Sequence, residues 1–323
     1  MHLLNSASGV RLSICGRSVL LWFWIAVFCL LFLYGFRHLQ LKEEFEVTPR
    51  RPLSQNADLC SEFNTTDFES MRWCMARFAK EKGVWYQLPS IIFTCINPYR
   101  AKFDYTFVNN TLEPKGWFDF RPSYRRQPRG SCVGVTIGIG NDIMAEESIL
   151  KRAPQCELYG ADPLISVGRV FEKIGTYDEV AVSDRFGTMR AYVLVDAAKN
   201  RYDYRDVPSM PLVDYLKKYR LSLIDFMIID AEGAEYRMIP DLERDGKLAR
   251  AGIHICQLNI ELHCNQSNYG FSEFAADQQL YHFLQFSDFI PLRADLSHLK
   301  HYRSFWINWK EPECRRRFLT HWC

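Results

Sequence analysis

From residue 130 onward, apolar runs of strand length alternate with segments of helical character. We predict strands over residues 133–139, 157–160, 179–183, 189–195, 225–229, 254–261, 289–294 and 304–309, and helices over residues 142–153, 165–174, 210–219, from 234 to about 248, and 273–286. This alternation is typical of parallel β–α–β units. The chain should therefore form an α/β fold, with a doubly wound, mostly parallel sheet of seven strands.

A second feature is an uncharged apolar run over residues 19–36, VLLWFWIAVFCLLFLYGF. As a helix, this run would extend over roughly 27 Å, which suits the hydrocarbon core of an early secretory membrane. Trp22, Trp24 and Tyr34 lie toward its ends, where aromatic rings prefer the membrane interface. A cleaved signal peptide is the alternative, but the run lacks a small-x-small cleavage site. We predict an N-terminal transmembrane helix.

The sequence after this run has the features of a lumenal polypeptide, although Lys and Arg are nearly balanced on its two sides. Three N-glycosylation sequons begin at Asn64, Asn109 and Asn265. Nine of the eleven cysteines also follow the run, and none of the nine forms a C-x-x-C zinc pair, so disulfides are favoured. We predict a single-pass type II membrane glycoprotein whose folded part lies in the lumen of the endoplasmic reticulum or Golgi.

Composition and local sequence divide the chain into six predicted segments. They are a cytoplasmic tail (1–18), the transmembrane anchor (19–36), a polar stem (37–57), a lumenal pre-domain rich in cysteine and aromatic residues (58–129), the main α/β domain (130–312) and a C-terminal tail (313–323). The net charge is only +2, from 40 Lys and Arg against 38 Asp and Glu, so no broad basic field indicates a nucleic-acid partner.

Polar residues and glycines follow the predicted strands, at the edge of the sheet where α/β folds bind their ligands. They are Gly138, Gly140 and Asn141 after the first strand, Asp162 after the second, Ser183 and Asp184 after the third, Asp230 and Glu232 after the fourth, and Glu261 and His263 after the fifth. The pair Gly138 and Gly140 permits a tight turn close to a ligand. Asp162 follows 24 residues after Gly138, where an acid can bind a ribose hydroxyl. The alternative is a loop glycine pair with a helix-capping Asp.

The residues after the glycine pair distinguish between two nucleotide-type cofactors. A dinucleotide site favours a third glycine, but Ile143 occupies that position. Asp142, Glu146 and Glu147 lie in the first turn of the predicted helix and would repel a pyrophosphate. S-adenosylmethionine has no phosphate and is positively charged at its sulfur. We therefore predict S-adenosylmethionine, rather than NAD, as the cofactor.

The segment 224–239, IDFMIIDAEGAEYRMI, resembles the signature of the FkbM-type methyltransferases, whose fourth strand ends in a D-x-E-G-x-E run. Residues 180–193 are similar to the third strand of that family and its following hairpin, and residues 211–219 resemble the helix before the signature. The resemblance covers about residues 130 to 310 and is nearest to a divergent, membrane-anchored animal-type branch. Two departures are Ile229, where members often have Lys, and the absence of an Asp-x-Gly-Ala start.

The resemblance implies a class I methyltransferase-like fold and a set of roles. Gly138, Gly140 and Asp162 would contact the donor, Ser183 would lie near the adenine, and Asp230 would lie near the methyl group. The predicted cofactor-binding residues are Gly138, Gly140, Asn141, Asp162, Ser183 and Asp230.

Methyl transfer requires an aligned acceptor and a base that removes its proton. Asp230, Glu232 and His263 are the candidate catalytic residues, and the usual pKa of His263 suits a base best. Alternatively, Asp230 caps the next helix and His263 is an ordinary loop histidine. Asp230, Glu261 and His263 could also bind a metal, but nothing in the sequence fixes their spacing, and no metal is predicted.

These observations favour an O-methyltransferase of the secretory lumen that uses a small-molecule methyl donor and a lumenal glycan or protein acceptor. The glycan class follows from compartment and family type, not from any residue. One alternative is a membrane-tethered interaction protein that has the fold without turnover, which Ile229 and the missing Asp-x-Gly-Ala start would explain. A glycosyltransferase is disfavoured because the chain has no D-x-D metal motif.

Overall fold

A computed structural model describes residues 63, 65–110, 113–125, 127–128, 130–263, 272–297, 301–319 and 322, all within the compact unit Leu53–Cys323. In this part of the chain there is no helix whose length and hydropathy suit a membrane crossing. The predicted tail, anchor and stem, and the sequon residues Asn64 and Asn265, lie outside the described residues and stay predictions.

The N-terminal elements come before the predicted α/β domain. They are helix α1 (Thr65–Lys82), helix α2 (Leu88–Ile96), a 3-10 turn (Asn97–Lys102), strands β1 (Thr106–Val108) and β2 (Lys115–Trp117), and helix α3 (Pro122–Arg125). A disulfide joins Cys74 of α1 to Cys95 of α2. Phe68, Met71 and Trp117 belong to the same hydrophobic cluster as the main sheet, so these elements share its core.

Ten further strands follow. They are β3 (Cys132–Ile137), β4 (Cys156–Asp162), β5 (Thr176–Glu179), β6 (Ala181–Ser183), β7 (Gly187–Asp196), β8 (Arg201–Pro211), β9 (Leu223–Ile229), β10 (His254–Leu262), β11 (Phe289–Leu296) and β12 (Tyr302–Asn308). Seven of them form one sheet in the order β11-β12-β10-β9-β3-β4-β5. Strand β12 is antiparallel to its neighbours, and the pairs among β10, β9, β3, β4 and β5 are parallel. The predicted α/β fold with a seven-stranded, mostly parallel sheet is confirmed.

The order of the strands places the site. The chain runs outward from β3 to β5 on one side and from β9 to β10 on the other, so β3 and β9 are neighbours at the switch point. Every residue of β3 is buried, as are all but the first of β9, which explains their near-continuous apolar sequences.

A three-stranded sheet, β6-β8-β7, differs from the prediction. Strands were predicted over residues 179–183 and 189–195, but no strand was predicted over residues 201–211, where β8 lies between them: β6 pairs in parallel with β8, and β7 pairs antiparallel with β8. Strand β8 was not predicted because its sequence, RYDYRDVPSMP, is polar and largely accessible to solvent. The prediction for 179–183 was also wrong in extent, because β5 ends at Glu179 and β6 begins at Ala181.

The remaining helices connect the strands. They are α4 (Met144–Arg152), α5 (Ile165–Gly168), α6 (Leu212–Lys218), α7 (Glu235–Met238), α8 (Lys247–Arg250), α9 (Glu273–Phe286) and α10 (Pro312–Phe318), with 3-10 turns at Arg169–Lys173, Ala197–Lys199 and Ile239–Leu242. Helix α9 has its predicted bounds. The single helix predicted to about residue 248 is wrong, because Pro240 cannot donate the next helical hydrogen bond and Gly246 lies in the turn between Leu242 and α8.

Two buried amide side chains attach β2 to the face of the main sheet. The Asn259 amide accepts from the Gly116 N–H at 2.7 Å and donates to the Gly116 carbonyl at 3.0 Å. The Gln257 amide pairs in the same way with Phe118, at 2.7 and 3.3 Å. Strand β2 pairs antiparallel with β1, and the two amides connect β2 to β10 of the main sheet and fix the position of Lys115 beside it.

The C-terminal residues, assigned by sequence to a tail from residue 313, form helix α10 and contribute Phe318 and Trp322 to the core. Two links hold α10. Cys314 forms a disulfide with Cys256 of β10, and the Arg317 guanidinium lies 2.5 Å from the buried Asp225 carboxylate. A third disulfide joins Cys132 to Cys156 across β3 and β4.

Loss of the Arg317 side chain should destabilise the fold strongly. Arg317→Met leaves the Asp225 carboxylate buried and without its cation, and we expect the free energy of unfolding to fall by about 3–5 kcal/mol. Urea unfolding measures this value. The matched control is Arg316→Met, because the more exposed Arg316 pairs with Glu313 at the surface and its loss should cost about 1 kcal/mol or less. Equal costs for the two variants would contradict the assigned role of Arg317.

Candidate active site

A cavity of about 410 Å³ lies at the carboxyl ends of β3, β4 and β9, and residues of β7 and β8 form one wall. This volume is within the range of small-molecule sites. Val180, Ala181 and Val182 give it an apolar side, whereas Asp230 and Glu232 lie on a polar side.

The glycine loop after β3 touches the backbone that follows β9. Gly138 has φ +82°, and a Cβ at this position would lie 1.7 Å from the Asp230 carbonyl oxygen. The Gly138 N–H donates to the Ala161 carbonyl at 2.9 Å. Gly140 also has a positive φ, +58°, but a Cβ there would meet no atom within 4 Å. The ends of three strands therefore meet at Gly138, where a side chain would not fit.

The Asp162 carboxylate is bonded directly to this loop. One oxygen accepts the N–H groups of Ile139 at 3.0 Å and Gly140 at 3.2 Å, and the other accepts the Leu164 N–H at 2.9 Å. Burial raises the pKa of Asp162, although these three hydrogen bonds oppose the shift. Asp162 thus fixes the loop and also lines the cavity, and its contact with a ribose stays a prediction.

Two other predicted cofactor residues occupy different places. Asn141 lines the cavity with a left-handed backbone, φ +66°. Ser183 is buried, does not line the cavity, and donates its hydroxyl to Asp184 at 3.1 Å. Its neighbours Ala181 and Val182 line the cavity instead. The predicted proximity of Ser183 to an adenine is therefore not supported by the direction of its hydroxyl.

The candidate bases Asp230 and Glu232 line the cavity just after β9. The Asp230 backbone N–H donates to the Ile137 carbonyl at 2.8 Å, and 30% of its side chain is accessible. Burial and the Glu261 carboxylate raise the pKa of Asp230 well above its ordinary value, against the opposing effects of His263 and Lys115. Such a shift moves a carboxylate toward the pKa that suits a general base.

His263 is only 2% exposed and does not line the cavity. Its Nδ1 lies 3.1 Å from a Glu235 oxygen, and its Nε2 lies 3.6 Å from Asp230 and 3.5 Å from Glu232. Burial alone would lower the pKa of His263, but Glu235, Glu232 and Asp230 outweigh it and raise the pKa to about 10. The imidazole is therefore protonated at neutral pH, which suits a donor that positions the carboxylates rather than a base.

Most acids around the polar side of the cavity already have hydrogen-bond donors. Lys115 and Arg303 bind Glu113, His301 and Arg303 approach Glu261, and Thr136 donates to Glu146. Asp230 and Glu232 both face the buried His263, whose Nε2 lies 3.6 Å from Asp230 and 3.5 Å from Glu232, beyond a good hydrogen bond. Of these two carboxylates, Asp230 is the more accessible and has the raised pKa, so we assign Asp230 as the base.

Several residues of the site were not predicted from the sequence. They are Glu113, Lys115, Glu146, Tyr192, Tyr202 and Glu235. Glu235 could have been identified, because it is the last acid of the D-x-E-G-x-E run. Its carboxylate accepts the N–H groups of Gly233 at 2.8 Å and His263 at 2.7 Å, which joins the ends of β9 and β10.

The same side chains form three groups with metal-ligand spacing. They are Glu261, His263 and His301; Asp230, Glu232 and His263; and Glu113, Asp230 and Glu261, each with ligand atoms within 4.8 Å of one another. Positive charge from His263 and Lys115 already lies among these acids. The prediction that no metal is bound stays a prediction.

The fold and the cavity together define an α/β enzyme-like domain with its site at the switch point of the sheet. The family model for the methyltransferase FkbM domain matches residues 92–295, more than half of the chain. The protein therefore belongs to the FkbM methyltransferase family, which confirms the family seen in the sequence, whereas the membrane-anchored, animal-type branch stays a prediction. The match begins within α2, so it includes β1 and β2. A comparison with curated proteins finds no match.

The protonated state of His263 predicts how stability depends on pH. The pKa of His263 is about 10 in the fold and 6.5 ordinarily, so its stabilising contribution is complete below about pH 6.5 and is lost as the pH rises through 10. Urea unfolding from pH 6 to 10 should show this fall. It should be much weaker in His263→Gln and unchanged in the control His282→Gln, which alters an exposed histidine. The same pH slope in His263→Gln and the unaltered chain would contradict the assignment.

Proposed function

We propose that the protein is an S-adenosylmethionine-dependent methyltransferase that methylates a hydroxyl group of a secretory-pathway acceptor, such as a glycan. The family match supports methyl transfer. The observation that most supports the chemistry is the accessible, raised-pKa carboxylate of Asp230 at the switch point of the sheet. The three disulfides within the described residues support an oxidising compartment.

The cavity fits the proposed donor. When bound, S-adenosylmethionine supplies an electrophilic methyl group on a positively charged sulfur. The close-packed loop at Gly138 and the open position at Gly140 allow backbone to approach a nucleoside, with Asp162 beside them. Val180 and Val182 offer an apolar surface for a base. The acids on the polar side of the cavity, Asp230 and Glu232, favour a positively charged ligand, whereas they would repel a pyrophosphate.

In the proposed reaction Asp230 accepts the proton of the acceptor hydroxyl. His263 positions the Asp230 and Glu232 carboxylates, because its Nε2 faces both of them. Removal of the proton raises the nucleophilicity of the oxygen, and a fixed base at hydrogen-bond distance contributes typically about 10²–10⁴ to such a rate.

The alternative is a tethered interaction protein without turnover. Two departures from the family pattern favour this alternative, namely Ile229 in place of a Lys and the missing Asp-x-Gly-Ala start. Ile229 is fully buried in β9 and does not line the cavity. The replacement of Lys by Ile229 therefore alters the core of the domain and does not alter the lining of the cavity.

Incubation of the purified full chain with tritium-methyl S-adenosylmethionine and a panel of neutral glycans tests the proposal. We expect label on a glycan in the form of a methyl ether. The control is Asp203→Asn, which removes an acid of β8 outside the cavity. Donor binding without transfer to any acceptor would favour the interaction protein, and the absence of donor binding would contradict both the donor and the reaction.

A further inference from the structure

Glu146 is a buried acid in the wall of the cavity. It lies in the first turn of α4 and lines the cavity, although only 3% of the residue is exposed. Its carboxylate accepts the hydroxyl of Thr136, near the end of β3, at 2.7 Å. Thr136 is buried and lines the cavity as well. The end of β3 and the start of α4 therefore hold one carboxylate at the cavity surface.

Glu146 differs from the other buried acids of the described chain in its charge partners. Four of those acids have a cationic side chain close by, namely Asp225 with Arg317, Asp241 with Lys247, Glu235 with His263, and Glu261 with His301 and Arg303. Asp162 instead accepts three backbone N–H groups. Glu146 has no Lys, Arg or His nitrogen within 4.0 Å among the residues that the structure describes.

A buried carboxylate that lacks a cation is costly in its charged form. Burial raises the pKa of Glu146, and the hydrogen bond from Thr136 opposes this shift. Proteins usually pair such a group, because the transfer of an unpaired charge out of water is strongly unfavourable. Since Glu146 lines a cavity, a ligand can supply the cation that the protein does not.

The two oxygen-bearing side chains select the kind of cation. A carboxylate and a threonine hydroxyl oxygen both accept hydrogen bonds, and an ammonium group has several N–H donors, whereas a sulfonium has none. The proposed donor carries both cations. Its sulfonium has to lie near Asp230, because the methyl group passes to the oxygen that Asp230 deprotonates. With the nucleoside beside Gly140 and Asp162, the wall at Thr136 and Glu146 is left for the amino-acid part.

We propose that Glu146, oriented by Thr136, binds the ammonium group in the methionine part of the donor. This inference rests on the proposed function, since it assumes that the cavity is the donor site. With Gly138 as the glycine of the missing Asp-x-Gly-Ala start, the Asp would stand at position 136, where this chain has Thr. Glu146 brings a carboxylate to the same place from α4, so this departure leaves the cavity with an acid there.

Calorimetry with three ligands tests the proposal without any acceptor. S-adenosylmethionine and S-adenosylhomocysteine both have the ammonium group, and methylthioadenosine has the nucleoside without the amino-acid part. In the full chain we expect Glu146→Gln to weaken binding of the first two about tenfold each, and binding of methylthioadenosine less than about twofold. The control is Glu147→Gln, which alters the exposed neighbour in the same helix and should change none of the three affinities.

Thermal unfolding of the ligand-free chain distinguishes this role from a structural one. Glutamine keeps the shape of Glu146 and can still accept from Thr136, but it removes a buried charge that has no cation. The melting temperature of Glu146→Gln should therefore equal or exceed that of the unaltered chain. A second variant, Thr136→Val, leaves the carboxylate without its orienting hydroxyl and should weaken both amino-acid ligands about threefold, with methylthioadenosine unchanged.

Other outcomes overturn the proposal in different ways. Weaker binding of S-adenosylmethionine alone in Glu146→Gln would mean that the carboxylate faces the sulfonium. Equal loss of all three affinities would mean that Glu146 only supports the fold. Unchanged binding of both amino-acid ligands would remove the ammonium contact, while donor binding and the proposed function stand. If the unaltered chain binds none of the three, the proposed function fails with the inference. Should Glu146→Gln unfold, Thr136→Val decides alone.

Discussion

Asp230→Asn is expected to lower the rate of methyl transfer by at least about a hundredfold at saturating donor. The asparagine has nearly the same shape but cannot take a proton from the acceptor. The neighbouring acids are poorer substitutes, because Glu261 and Glu113 are already paired with histidine, lysine or arginine side chains, and Glu232 is less accessible than Asp230. Single-turnover assays with labelled donor, and with a glycan that the unaltered chain methylates as the acceptor, measure the effect.

The control for this variant removes one negative charge elsewhere. Asp203→Asn lies on β8 outside the cavity and should keep the rate within about twofold. If Asp230→Asn keeps the rate while Glu232→Gln loses it, the base is Glu232 and the present assignment of Asp230 is wrong.

Gly138→Ala is expected to remove donor binding and to lower the free energy of unfolding by about 3 kcal/mol or more. Two effects add. The residue has φ +82°, which a side chain disfavours, and its Cβ would overlap the Asp230 carbonyl oxygen. The loop must then separate from the end of β9, so the glycine turn and Asp230 no longer share one cavity wall. Urea unfolding and calorimetry with S-adenosylmethionine measure the two losses.

Gly140→Ala is the control that distinguishes the steric overlap at Gly138 from the cost of a positive φ alone. Gly140 also has a positive φ, +58°, but its Cβ would enter open space. We expect a cost of about 1 kcal/mol, since only the backbone preference is lost. Equal destabilisation by the two alanines would show that the contact between the loop and β9 is not what makes Gly138 necessary.

The parts of the fold that were predictable are those in which one strand or helix has its own strong pattern. Strand β9 is buried on both faces, so its sequence is apolar except for Asp225, which pairs with Arg317. Strand β8 could not be found in this way, because it is polar and mostly accessible along its length. Its place is fixed by pairing with β6 and β7, which the local sequence does not show.

The residues of the candidate site also include some that the sequence could predict and some that it could not. Gly138 and Asp230 directly follow the parallel strands β3 and β9, and Asp162 is the last residue of β4, so topology alone brings them together. Lys115 precedes the predicted domain start at residue 130, and reaches the cavity because Asn259 and Gln257 attach β2 to the sheet. Contacts between residues more than 130 positions apart have no local signature.

The role of His263 shows why residue type alone was insufficient. The ordinary pKa of an imidazole suggested a base, but Asp230 and Glu232 from the turn after β9 and Glu235 from the start of α7 lie beside this ring and keep it protonated. The number of acids near a histidine depends on which strand ends are neighbours, and this information lies in the fold.

The central claim is that the glycine loop, Asp162 and Asp230 form one donor site. Calorimetric titration of the purified full chain with S-adenosylmethionine, with NAD as the competing ligand, tests it most directly. We predict one-to-one binding of S-adenosylmethionine, loss of that binding in Asp162→Ala, and no heat with NAD. Absence of binding to S-adenosylmethionine, or unchanged binding in Asp162→Ala, would contradict the claim.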